Sequence, residues 1–190
     1  AGLGLALGLL GAVASILPAT FALDEFLGLG ALFAARGPLD PPAEVLVVGI
    51  SRDAARALGE TEELDTWSRG LHAQLVDRLT TAGASAIAFD LMFSEAREGP
   101  GDALFASSLE TAGNVLLLEE TEDSGVVSLG GDSTGRLETR MPPLRSLQTA
   151  ALGTAPFILP KVPLRVAQSW VFDRVTDEMP SLPTLALQAH

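Results

Sequence analysis

Cysteine is absent from the chain, and histidine occurs only twice among its 190 residues. Without cysteine the chain forms neither disulfides nor thiolate metal sites, and it has no cysteine nucleophile. With His72 and His190 as the only histidines, a serine–histidine–acid triad is poorly supported. No G-x-S-x-G, P-loop or H-E-x-x-H motif occurs either. We therefore predict a region that is not an enzyme and that holds no cofactor or metal.

Basic residues are also scarce, because 12 arginines and lysines stand against 24 aspartates and glutamates, which gives a net charge of -12. A surface this negative repels phosphate backbones, and no basic stripe with interleaved aromatic residues is present. We expect no nucleic-acid partner. Hydrophobic residues make up 47% of the chain, which is enough to build a sizeable core.

Charge is missing altogether from residues 1–23, and the first charged residues are Asp24 and Glu25. A helix of this length spans about 34 Å, enough to cross a hydrocarbon core of about 30 Å. We predict a transmembrane anchor helix rather than a cleaved signal peptide, because neither a basic flank nor a clear A-x-A site is visible. Gly4 and Gly8 form a G-x-x-x-G pair, which indicates either a homodimer or merely the usual abundance of glycine in membrane helices.

The remainder of the chain divides into a connector and a domain. Residues 24–43 are interpreted as a juxtamembrane helix followed by a proline-rich connector. Residues 44–190 are interpreted as one folded domain. Because the chain begins at Ala1 rather than Met and ends within apolar sequence, we expect a piece of a longer protein, with this domain truncated at its C-terminus.

Hydrophobic patterning within the domain predicts alternating strands and helices. Continuous apolar runs are typical of strands covered on both faces, and apolar residues at helical spacing indicate amphipathic helices. The alternation predicts an α/β fold, a three-layer βαβαβ core with a parallel sheet. The segments are strand 44–51, helix 68–82 with Ser68 as N-cap, strand 84–92, helix 102–112 ended by Gly113, strand 114–120, a surface loop or hairpin over 119–140, helix 142–152, strand 166–175 and helix 180–190.

Six short motifs follow one another along the chain: Arg36-Gly37-Pro38, Val45 to Ser51, Trp67-Ser68-Arg69, Leu71 to Leu75, Ile87 to Ser94 and Pro180-Ser181-Leu182. Their order resembles the type-2 CHASE domain, the cyclase- and histidine-kinase-associated sensory extracellular domain of bacterial receptors. The resemblance covers nearly the whole chain, is most specific between Trp67 and Ser94, and implies that residues 44–190 are an extracytoplasmic sensory domain. The family often has Trp-Pro-Trp before the arginine, whereas this chain keeps only Trp67.

The resemblance implies a receptor of the bacterial inner membrane whose sensory domain is periplasmic or extracellular. It also implies a cytoplasmic output domain beyond this chain, commonly an adenylate cyclase, histidine kinase, diguanylate cyclase or serine/threonine kinase. The cue is an unidentified extracellular or periplasmic ligand. A ligand-free dimerisation or interaction module of an envelope protein is the alternative.

Candidate ligand-binding residues follow from the predicted sheet, since ligands of open parallel sheets bind beyond the carboxyl ends of the strands. They comprise residues after the first two predicted strands and residues at the exposed start of the first long helix, where anions bind well. These candidates are Ser51, Asp53, Trp67, Arg69, His72 and Asp90.

Each candidate also has a structural interpretation. A carboxylate inside the apolar run around Asp90 must find donors or a cation. We favour a structural role, in which it caps backbone amides or pairs with Arg52 or Arg69, over a ligand or metal contact. Trp67 is also interpretable as a hydrophobic lid, Arg69 as the partner of an acid and His72 as a core histidine. The remaining hypothesis, a metal-dependent hydrolase, is weak because the spacing of its acids follows no known metal loop (Asp53, Asp90, Glu95 and Asp102).

Overall fold

The computed structural model describes most of the chain after the predicted anchor. It covers residues 28–63, 66–130, 133–157, 159, 171–172 and 179–190, with only the backbone of 121–138, and four N-terminal glycines (Gly2, Gly4, Gly8 and Gly11) that are helical and exposed. The rest of the predicted anchor helix and most of the predicted strand 166–175 lie outside the described residues. None of the helices within the described ranges combines the length and apolarity needed to cross a bilayer.

The chain divides into two units, Ala1–Val48 with Lys161–Gln168 and Gly49–Pro160 with Ser169–His190. The first unit contains helix α1 (Gly30–Arg36), which lies within the segment 24–43. This helix ends at Gly37, whose φ of 75° is a conformation that glycine adopts without strain.

The run of residues 44–51 is not the strand that its apolarity predicts. It has no regular secondary structure, and its apolar side chains are exposed by 49% to 84% from Val45 to Val48. Continuous apolarity marks a strand only when a neighbouring strand and a covering layer are present, because strand preference largely reflects packing. Among the described residues no strand pairs with this segment, so the predicted first strand is wrong.

Two helices open the second unit. Ser51 caps helix α2 (Arg52–Leu58), because its Oγ accepts a hydrogen bond from the Ala54 amide at 3.2 Å. Helix α3 (Arg69–Thr81) begins one residue after Ser68, whose Oγ accepts from the Gly70 amide and confirms the predicted N-cap. The buried residues of α3 recur every three or four positions, at Arg69, His72, Ala73 and Val76.

Three short segments form the parallel sheet of the second unit, in the order β1 (Ile87–Phe89), β2 (Val115–Gly130) and β4 (Gly153–Pro156). Helix α4 (Gly101–Ala112) connects β1 to β2. Helix α5 (Arg145–Ala150) precedes β4. The predicted parallel α/β sheet is therefore confirmed, but β4 rather than residues 44–51 supplies its third strand.

Beyond the parallel sheet, β2 continues as one arm of a hairpin. Its second half pairs antiparallel with β3 (Ser133–Met141), from Glu120 opposite Met141 to Gly130 opposite Ser133. The prediction of a loop or hairpin over 119–140 is thus resolved as a hairpin.

Helices cover the parallel sheet on both faces. Because successive strand residues point to opposite faces, Val115 and Leu117 pack on one side of the sheet and Leu116 on the other. The first face carries the larger core, built with side chains of α3, α4 and α5. The second face packs against helix α6 (Leu182–Ala189), at the C-terminal end of the chain. The predicted three-layer arrangement is confirmed in the second unit.

Candidate functional site

Asp90 directly follows β1, at the carboxyl edge of the parallel sheet. The sequence places this carboxylate inside a buried strand, but β1 ends at Phe89 and Asp90 is exposed. The predicted pairing with Arg52 or Arg69 is wrong, because Arg52 forms an ion pair with Glu62 and Arg69 is paired elsewhere. Asp90 therefore reaches the predicted edge as a solvated acid.

Arg69 is buried, with 4% of its surface exposed, at the start of α3. Its Nε donates to Oδ1 of Asp102, in the first turn of α4, at 3.3 Å. Its Nη2 donates to the carbonyl of Glu95 at 3.3 Å. Oδ2 of Asp102 in turn accepts from the backbone amide of Arg97 at 2.7 Å. The arginine therefore joins α3, the loop after β1 and α4.

The Arg69 cluster is also densely packed and cationic. A Cβ added at Gly101 would lie 3.1 Å from Cβ of Arg69, so a side chain at the start of α4 would require Arg69 to shift by a few tenths of an ångström. Burial lowers the pKa of Arg69, the neighbouring Arg97 lowers it further, and Asp102 opposes both effects. The Nε of Arg97 is buried and has no hydrogen-bond partner. The carboxylate of Asp102 thus accepts one hydrogen bond from the Arg69 side chain and one from the Arg97 backbone amide.

His72 lies one turn beyond Arg69 and is part of the aromatic core. Its ring centroid is 5.2 Å from that of Phe93, 5.8 Å from Phe105 and 6.1 Å from Phe89. Nδ1 donates to the carbonyl of Ser68 at 3.0 Å, since a carbonyl only accepts. Burial lowers the pKa of His72, and this effect exceeds the opposing one of the Ser68 hydrogen bond. The side chain is held among hydrophobic residues as a neutral ring.

Trp67 precedes the α3 cap and is 5% exposed. Its Nε1 donates to the carbonyl of Thr61 at 2.8 Å, which fastens the preceding loop. The first-turn amides of α3 are already engaged, because Gly70 and Leu71 both donate to Ser68. Two amides of the helix start that the sequence marks as an anion site therefore bond the cap residue Ser68.

Ser51 and Asp53 sit at the start of α2 rather than at the end of a strand. The Ser51 hydroxyl caps the helix, and the exposed Asp53 carboxylate pairs with Arg56 at 3.4 Å. Of the six predicted residues, Arg69 and His72 share a contact, because both pack against Phe93.

A further cluster lies at the carboxyl edge and includes none of the six candidate residues. Glu119, 5% exposed, ends the parallel part of β2. One carboxylate oxygen accepts from Arg140 on β3 and the other from Thr154 on β4. An acid that closes the apolar run of β2 requires such donors, and this signal is visible in the sequence. Its partners lie 21 and 35 residues away, beyond the reach of local patterns.

An open groove of about 670 Å³ lies at the same edge of the sheet. One wall is the loop after β1 and the other is the β3–α5 connection with the first turns of α5. The walls are joined where the Leu144 amide donates to the Phe93 carbonyl at 2.7 Å. We call this the carboxyl-edge groove; it is lined by Ser94, Pro142, Pro143, Leu144, Arg145, Gln148 and Thr149.

The acidic side chains of the described residues are scattered. Within the described part of the chain, no three histidine, aspartate or glutamate side chains converge closely enough to hold a metal ion. The acids of the hydrolase hypothesis are dispersed: Asp53 pairs within α2, Asp90 is solvated and Asp102 binds Arg69.

Comparison with known proteins gives one family. The profile of the CHASE2 domain matches residues 5–188, essentially the whole chain. This family consists of sensory extracellular domains and is not catalytic. No curated protein and no solved structure matches the chain.

Proposed function

Because the chain belongs to the CHASE2 family of sensory extracellular domains, we propose that it is the extracytoplasmic signal-sensing region of a bacterial transmembrane receptor. The family match over residues 5–188 is the observation that carries the proposal. The regulated output is a cytoplasmic adenylate cyclase, histidine kinase, diguanylate cyclase or serine/threonine kinase elsewhere in the receptor. Residues 1–23 serve as the inner-membrane anchor, and the uncharged sequence of that segment supports this role.

Signal transmission requires a cue that binds two states of the receptor with different affinity. In this proposal the cue binds the second unit on the periplasmic or extracellular side. The receptor is a homodimer, whose anchor helices approach through Gly4 and Gly8. Rotation or sliding of paired helices then carries the change across the membrane.

The absence of cysteine makes the location of the domain directly measurable. A single Glu110→Cys substitution on the exposed face of α4 introduces the only thiol of the chain. A membrane-impermeant maleimide should label this thiol in intact spheroplasts as strongly as after lysis. Labelling that appears only after lysis places the domain in the cytosol and refutes the proposal. The unsubstituted chain, which has no thiol, is the matched control.

A second candidate function is a ligand-free interaction module, and the exposed apolar run from Val45 to Val48 favours it. Exposed apolar stretches commonly mark protein contacts. The two candidates differ in what a Val47→Glu substitution does. In a sensor this change leaves ligand binding by the second unit intact, whereas in an interaction module it abolishes co-purification of the partner or second copy.

A further inference from the structure

The carboxyl-edge groove has the position and size of a small-molecule site. Ser94 follows β1 by a few residues, and Pro142 follows Met141, which pairs with Glu120 at the end of the parallel part of β2. One wall therefore follows the carboxyl end of β1, and the other begins where β3 meets the carboxyl end of the parallel part of β2. Open α/β sheets bind ligands at this edge. Its volume of about 670 Å³ falls within the range of about 300 to 1,000 Å³ typical of such sites.

The charge of the groove is set by one residue. Arg145 is the single charged side chain in its lining and is exposed. Within the described residues its guanidinium forms no ion pair, although acids outnumber basic residues two to one in the chain. In contrast, Arg69 and Arg140 are both paired with acids. The guanidinium of Arg145 is thus available to an anion from solution.

The remaining lining adds neutral hydrogen-bonding groups and an apolar surface. The Thr149 hydroxyl donates to the Arg145 carbonyl at 2.9 Å, so its oxygen is left to accept from a ligand. Ser94 offers a hydroxyl and Gln148 an amide, and both side chains are exposed. Pro142 and Pro143 contribute apolar surface without backbone donors.

The walls of the groove are fixed before any ligand binds. Phe93, which precedes Ser94, is 1% exposed and stacks under the guanidinium of Arg69. Its carbonyl also accepts from Leu144 on the opposite wall. A preformed site loses less conformational entropy on binding, which favours recognition of small ligands.

We propose that the carboxyl-edge groove binds a small carboxylate that also bears a hydroxyl or similar polar group. A planar guanidinium matches a carboxylate through two parallel hydrogen bonds. One cation balances one negative charge, whereas a doubly charged phosphate would leave an excess charge in this lining. The role of this ligand as the cue rests on the proposed sensory function; its binding does not.

The test uses L-lactate, and its uncharged match lactamide, with the full 190-residue chain in a mild detergent. Lactate should shift the backbone NMR signals of Ser94 and of residues 144–149, and lactamide should not. Arg145→Gln should weaken lactate binding by about tenfold or more, because hydrogen bonds to charged groups contribute that much. Arg78→Gln, at an exposed arginine in the last turn of α3, should bind lactate as the unsubstituted chain does.

Several results would overturn the inference. These are equal binding of lactate and lactamide, undiminished binding to Arg145→Gln, tighter binding of inorganic phosphate than of lactate, or no shift at the groove with any of the three probes. Unchanged circular dichroism of Arg145→Gln excludes unfolding as the cause of lost binding. Failure here is separable from failure of the proposed function, because binding is measured on purified chain and location by thiol labelling in spheroplasts.

Discussion

The guanidinium of Arg69 lies 4.5 Å from the centroid of the Phe93 ring. The buried guanidinium therefore packs against the aromatic core, where the electron-rich face of the Phe93 ring attracts it. Phe93 in turn packs against Phe105 and His72, with ring centroids 5.1 and 5.2 Å away. Asp102 is the ion-pair partner of the arginine, so one carboxylate compensates a charge at the edge of the core.

Removal of this carboxylate should be costly. In an Asp102→Ala variant, Arg69 remains buried without a counter-charge and the Arg97 amide loses its acceptor. We expect the free energy of unfolding, measured by urea denaturation, to fall by about 3 kcal/mol. Glu110→Ala, at an exposed acid of the same helix, should change it by less than about 0.5 kcal/mol. Similar losses in the two variants would show that the pair does not stabilise the fold.

Stability should also depend on the protonation of His72. Burial holds its pKa in the folded chain below the ordinary value of 6.5, so the unfolded chain takes up the proton at higher pH. The stability contributed by the neutral ring is therefore complete above pH 6.5 and is lost as the pH falls from 6.5 toward the folded-state pKa.

A His72→Gln variant removes this titration. Between about pH 7.5 and about pH 5.5, its free energy of unfolding should fall less than that of the unsubstituted chain, by up to about 1.4 kcal/mol per pH unit. Urea unfolding at several pH values measures the difference, and NMR of the His72 ring gives its pKa directly. Parallel stability curves, or a ring that titrates above 6.5, would contradict the expectation.

The aromatic core should be intolerant of truncation at its centre. Phe105 is fully buried, and its ring meets those of Phe89 and Phe93 edge to face. Phe105→Ala should lower the free energy of unfolding by about 3 to 5 kcal/mol, because lost burial and a cavity both contribute. Phe157→Ala makes the same change at a ring that is 40% exposed and should cost less than about 1 kcal/mol. Equal costs would place Phe105 outside the core.

The stability of the fold should depend on the ion pair between Glu119 and Arg140. Arg140→Met leaves this carboxylate, 5% exposed, with only the Thr154 hydroxyl, and we expect a loss of about 3 kcal/mol. Adding Glu119→Leu to that variant should recover at least about 1 kcal/mol, since an apolar pair avoids a buried unpaired charge. The control is Arg78→Met at an exposed site. A double variant less stable than Arg140→Met would argue that Glu119 needs no counter-charge.

Local signals in the sequence were the ones that predicted structure well. Ser68 caps α3 as predicted, and Gly113 ends α4 with a φ of 67°. Both features depend on a few adjacent residues and on backbone preferences that travel with them. The three-layer parallel architecture was predictable for the same reason, since it follows from the alternation of helix and strand patterns.

Long-range pairings were not predictable, and they decide the candidate site. Arg69 finds Asp102 33 residues away, and Glu119 finds Thr154 35 residues away. Asp90 differs from its prediction because β1 ends at Phe89 rather than at residue 92, which leaves the carboxylate in solvent instead of the interior. The apolar run around Val47 fails in the opposite direction. Its pattern predicts a buried strand, but the run is exposed, because a covering layer depends on residues outside the run. The groove likewise joins segments that are remote in sequence.

Strand β2 continues without a break from the parallel sheet into the hairpin. One uninterrupted backbone leads from the parallel core at Val115 to the far tip of the hairpin at Gly130. Since a lone two-stranded ribbon is marginally stable in water, its amides will exchange with deuterium far sooner than those beside Leu117. A molecule that binds the ribbon will slow this exchange from the tip inward. The amides that become protected will therefore show where it binds.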